Sequence, residues 1–111
     1  METLVMGSMG NYLHMTELDD LMESMMAAYG YEVVWPVKIG ESQEKRPIMA
    51  YAFMLDVKIE NSVWELKNRS AILIDAVHHA RELTTISQVA YTMMALLHGL
   101  EHGNAEYKAL L

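Results

Sequence analysis

The sequence predicts an α/β fold, a three-layer α/β/α arrangement with a mixed sheet, and three observations lead to it. Residues 16–29 carry a one-sided helical pattern. Two strand-like runs, residues 32–39 and 48–59, flank a polar connection. An apolar run at residues 71–77 then passes directly into a second helical pattern at residues 85–98. Neither internal repeats nor low-complexity stretches interrupt this order.

Each element has a local reason. In the first helix Leu18, Leu21, Met22, Met25, Met26 and Tyr29 recur at three-and-four spacing. Thr16 is placed to cap it with Asp19 three residues on, Glu17 and Asp20 suit its positive end, and Gly30 suits its termination. The run EVVWPVKI contains Pro36, which has no N–H for a ladder and suggests an edge or a bulge. The connection GESQEKRP is short enough for an antiparallel hairpin with IMAYAFML. Residues 60–70 read as a polar linker around Val63 and Trp64. The run AILIDAV is apolar enough for a strand covered on both faces. In the second helix Ile86, Val89, Ala90, Met93 and Leu97 share a face, with Thr85 and Gln88 as a capping box and Gly99 as a stop. Asn104 is expected to cap a last short helix with Tyr107, Leu110 and Leu111.

Length and charge bound the function classes. The 111 residues, 52% hydrophobic and 21% charged, suit a single globular domain. No apolar run reaches the roughly 18 residues of a membrane span. The opening METLVMGSMGNY lacks the basic start and continuous apolar core of a signal peptide, which leaves compartment open. Net charge is −7, and the 8 basic residues are dispersed, so no positive face forms for phosphates and nucleic acid is not an expected partner. With no cysteine, thiolate zinc sites and disulfides are excluded within this stretch. The 11 methionines read as adaptable core filler, against a copper alternative at Met6, Met9, His14 and Met15.

The chemistry concentrates after the apolar run, where His78 and His79 are followed by Glu82. Open α/β sheets commonly bind ligands beyond the carboxyl ends of their strands. Zinc accepts imidazole nitrogen and carboxylate oxygen, and a catalytic zinc takes three protein ligands and a water. A His and a Glu three residues apart on such a turn can face one ion, although many pairs of this spacing are solvated loop residues. His98 and His102 form a second pair at one helical turn, set against the glycines at 99 and 103, which read as helix stops. Asp75, inside the apolar run, needs a partner.

The segment His79-Ala80-Arg81-Glu82, preceded by ILIDAV and followed by a helix, resembles the zinc-binding segment of the zinc metallocarboxypeptidases of the carboxypeptidase A type. IGESQEKRPIMAYAF is similar to that family's "IG-S-EGRPI" hairpin, and the helix after Tyr12 occupies the place of its first helix. The resemblance covers residues 12–111 and implies the N-terminal part of a carboxypeptidase-like catalytic domain, residues 1–111. It implies Zn2+ as cofactor, His79 and Glu82 as its first two ligands, and Arg81 as a group that binds the peptide near the scissile bond. The implied reaction removes C-terminal residues from peptides. Two family glycines are replaced, by Val77 two residues before the first ligand and by Lys45 in the hairpin turn. His78 reads as a packed or hydrogen-bonded neighbour.

The family's third zinc-ligand histidine, its glutamate base, a tyrosine and carboxylate-binding arginines are expected beyond Leu111. The chain alone is therefore expected to be inactive on peptides. Its expected partners are a peptide or protein C-terminus and the remainder of the catalytic domain or a complementing chain. The alternative is a non-catalytic subunit built on the front half of the fold. Family members are often secreted.

Overall fold

The computed structural model describes residues 7, 9, 12–31, 33–55 and 67–111. Helices α1 (Met15–Tyr29), α2 (Thr84–Glu101) and α3 (Ala105–Leu110) accompany two strands, β1 (Val34–Glu41) and β2 (Pro47–Phe53). The chain divides into two compact units, Met1–Leu21 with Ile72–Leu110, and Met22–Ala71 with Leu111. Helices together with an antiparallel sheet make this an α/β chain, the class the sequence predicts.

The first helix starts one residue before the position assigned to it, and a different pair caps it. The His14 carbonyl accepts the Leu18 N–H at 3.0 Å, so His14 is the N-cap residue. Its ring Nδ1 accepts the Thr16 N–H at 3.3 Å, and Glu17 reaches back to accept the His14 N–H at 2.7 Å. The reciprocal logic of a capping box is kept, with His14 and Glu17 in place of Thr16 and Asp19. At the other end the Gly30 N–H reaches the Met26 carbonyl at 2.9 Å, and the helix stops as expected.

In the second unit, β1 and β2 pair antiparallel from Val34 opposite Phe53 to Glu41 opposite Pro47. The irregularity expected at Pro36 lies instead between Lys38 and Gly40, so Ile39 is the extra residue. Pro36 pairs in register with Tyr51 on a strand that has only one neighbour among the described residues, the edge setting a proline tolerates. The turn between the strands is closed by the Ser42 N–H to the Arg46 carbonyl at 2.8 Å and by the Lys45 N–H to the Ser42 carbonyl at 3.0 Å. Lys45 adopts φ 63°, the conformation a glycine would take without penalty. The buried side chains of this unit are Met22, Met25, Val34 and Met54. Among the described residues of this unit three of these four are methionine, whereas Met9, Met15 and Met49 are exposed. The second strand stops at Phe53, short of the expected Met54 and Leu55, and Lys67 and Asn68 of the expected linker are helical. Residues 56–59, the linker's residues 60–66 with Val63 and Trp64, Glu32 and Met6 lie outside the described residues.

In the first unit, Leu13, Ala90 and Leu97 are buried. The second helix runs three residues past its expected end. Gly99 is inside it and buried, and a Cβ there would overlap the Tyr107 ring of α3. The actual terminus is a Schellman motif. The Asn104 N–H bonds the Gly99 carbonyl at 2.8 Å, the Gly103 N–H bonds the Leu100 carbonyl at 3.1 Å, and Gly103 has φ 71°. Asn104 caps α3 as expected, its side-chain oxygen accepting the N–H groups of Glu106 at 3.0 Å and Tyr107 at 3.2 Å.

The apolar run at residues 71–77 departs from expectation. It is not paired in a ladder, and Ile72, Leu73 and Ile74 are 79%, 85% and 53% exposed. Composition supplied the signal for a covered strand, but coverage depends on neighbours, and no described segment pairs with this one. Asp75 is correspondingly exposed, and its carboxylate meets the His78 Nε2 at 2.8 Å. The partner that Asp75 needs is thus His78, and the charge is not buried. Among the described residues no helix is long and apolar enough to cross a membrane.

Candidate metal centre

The polypeptide leaving the apolar run turns twice before it becomes a regular helix. The Glu82 N–H donates to the His79 carbonyl at 2.9 Å, and the Thr85 N–H donates to the Glu82 carbonyl at 3.1 Å. These are two single turns that meet at Glu82, and the segment is not a regular 3-10 helix. His79, Arg81 and Glu82 all lie within it. All three are exposed. Among the described residues none of the three side chains has a hydrogen-bond or ion-pair partner.

Thr85 shapes this turn, a role its sequence position did not reveal. The helix begins at Thr84 with Leu83 as N-cap residue, and no side chain caps it. The hydroxyl of Thr85 instead donates to the Glu82 carbonyl at 2.7 Å and accepts the Val77 N–H at 2.9 Å. The expected capping box of Thr85 with Gln88 is thus not formed. A threonine hydroxyl competes readily for a carbonyl three residues back, and here that local bond prevails over a cap. That i−3 spacing was the only signal in the sequence.

Val77 adopts φ 58°. A β-branched residue with positive φ is a genuine outlier, because its side chain crowds the backbone. Lys45 and Val77 are the non-glycine residues with positive φ among those described, and both stand where the sequence resemblance implies glycine. The backbone has the glycine conformation, and the side chains are imposed on it. Val77→Gly is expected to raise the unfolding free energy by about 1 kcal/mol. The left-handed cost of roughly 1–2 kcal/mol is removed, offset by roughly 0.5–1 kcal/mol from the freer unfolded glycine. Lys45→Gly should gain less, since lysine is not β-branched. Urea denaturation of both variants checks this, and a loss of stability in Val77→Gly would contradict it.

The histidines near the end of α2 do not form an equivalent centre. The His98 and His102 rings stack with centroids 4.0 Å apart and planes 30° from parallel. The His102 Nδ1–H donates to the His98 carbonyl at 2.9 Å. Stacked rings present their faces to each other, not their nitrogens to one ion. His14, in the copper alternative, has its Nδ1 engaged at the start of α1. His78 is held by Asp75. No cluster of three or more His, Asp or Glu able to hold a metal occurs among the described residues.

His79 and Glu82 are of donor types that zinc accepts, one imidazole and one carboxylate, both exposed and without competing partners among the described residues. A family model described as zinc carboxypeptidase matches residues 18–111. No curated protein and no solved structure matches the chain.

Proposed function

Because the chain belongs to the zinc carboxypeptidase family, we propose that it carries two of the zinc ligands, His79 and Glu82, of a centre that removes C-terminal residues from peptides. The observation that supports this reading is the family match over residues 18–111, together with the exposure of His79 and Glu82, neither side chain having a hydrogen-bond or ion-pair partner among the described residues.

Zinc at such a centre supplies a Lewis acid for the scissile carbonyl and lowers the pKa of a bound water. The chain's own groups have separate tasks. His79 offers a neutral ring nitrogen and Glu82 a carboxylate oxygen. Arg81, exposed in the same segment, binds the peptide next to the bond to be cut; its five N–H donors suit carbonyl or carboxylate oxygens. A third protein ligand and a carboxylate base come from residues outside the described set, in the same polypeptide or in a complementing one. With two donors the 111-residue chain binds zinc weakly and leaves peptides intact.

The five histidines make a direct test possible. In a titration of the chain with Zn2+ followed by proton NMR, the imidazole signals of His79 should shift first, ahead of those of His14, His78, His98 and His102. Earlier movement of the His98 and His102 signals, with His79 unchanged, would remove the assignment.

A further inference from the structure

We infer that Thr85 is the positioning residue of the metal-binding turn, holding both ends of the segment that carries His79 and Glu82. The inference rests on the zinc reading above, and it concerns a group that touches neither metal nor substrate.

Three bonds converge on this threonine. Its hydroxyl accepts the Val77 N–H at 2.9 Å, eight residues back, and donates to the Glu82 carbonyl at 2.7 Å. Its own N–H also meets the Glu82 carbonyl at 3.1 Å. Val77 lies two residues before His79, so the hydroxyl ties the entrance of the turn to its exit. The oxygen of a threonine has one O–H and two lone pairs, and this pattern uses the O–H and one lone pair. The Val77–Thr85 bond is also partly shielded from water, which strengthens it relative to an exposed one.

The strain at Val77 explains why such a tie is needed. A valine held at φ 58° relaxes toward negative φ unless neighbouring bonds over-determine the backbone. Among the described residues its N–H has one partner, the Thr85 hydroxyl. Without that bond the peptide before Val77 is free to rotate and moves the His79 Cα relative to that of Glu82. Groups that orient metal ligands from behind typically matter 10- to 100-fold in metal affinity.

The test uses the whole chain and Zn2+ alone, with Thr85→Val and Thr85→Ser. Valine keeps the shape and removes both hydroxyl bonds; serine retains the hydroxyl. Thr85→Val should weaken Zn2+ binding about 10-fold, while Thr85→Ser should stay within about threefold of the parent. Amide exchange at Val77 should accelerate in Thr85→Val and not in Thr85→Ser. Circular dichroism and thermal melts identify a variant that fails to fold, and rescue by serine separates loss of the hydroxyl from general damage. Zn2+ binding that depends on His79 yet is unaffected by Thr85→Val would overturn the inference and leave the zinc reading standing. Failure of the parent chain to bind Zn2+ would overturn the zinc reading, and the inference with it. Equal weakening by serine and valine would also overturn the inference.

Discussion

Gly99→Ala is expected to destabilise the chain by about 2 kcal/mol, although on helix propensity alone it should help. Gly99 lies inside an 18-residue helix, where alanine is favoured over glycine by roughly 1 kcal/mol. The added methyl would, however, overlap the Tyr107 ring, with three of its carbons in the way. Tyr107 is on α3, whose start is fixed by the Asn104 cap, so the ring moves only by disturbing that cap or the Schellman turn before it. Overpacking of this kind costs roughly 1–3 kcal/mol. Tyr107→Ala in the same background should restore much of the loss, which a double-mutant cycle by urea denaturation measures. A stabilised Gly99→Ala variant would mean that the ring does not rest on the glycine.

The same glycine shows where sequence reading stopped. Periodicity located α1 and α2, since apolar residues at three-and-four spacing need only their own segment to declare a helix. The end of α2 was misread because glycine has two uses, as a left-handed terminator and as a surface that permits close approach. Gly103 has the first use and Gly99 the second. Only the placement of Tyr107 separates them, and that is tertiary information. The start of α1 was displaced for a related reason: a histidine nitrogen took the capping role that Thr16 was expected to fill. The run at residues 71–77 marks a deeper limit. Its composition states that it needs neighbours, but composition does not say which segments supply them.

His79→Ala and Glu82→Ala are each expected to reduce Zn2+ affinity to the background of the remaining histidines and carboxylates. The physical basis is chelation, since two donors on one turn bind an ion far better than one donor does. Removing either leaves a single exposed side chain of the pair on the metal. Both residues are exposed, so neither variant should shift the urea midpoint appreciably, and surface substitutions typically fall within about 0.5 kcal/mol. Competition with a chromogenic chelator gives the affinities. A parent-like affinity in both variants would place the metal elsewhere.

The proposed ligand pair lies in four contiguous residues, 79–82, and was reached through a resemblance, since spacing alone leaves such a pair open. What supports the pair was not legible. Thr85 read as a cap, and its hydroxyl's second partner, Val77, is eight residues away. The replaced glycines at positions 45 and 77 were visible as departures from a pattern. Their consequence, two side chains held at positive φ, needed the backbone. Lys45 at φ 63° is a source of strain.

Zinc K-edge X-ray absorption on the chain loaded with one equivalent of Zn2+, alongside His79→Ala, tests the two-ligand turn most directly. The expected result is a first shell of nitrogen and oxygen at roughly 2.0–2.2 Å, with the outer-shell scattering of an imidazole that disappears in His79→Ala. Imidazole scattering that persists unchanged in the variant, or is missing from the parent chain, would contradict it.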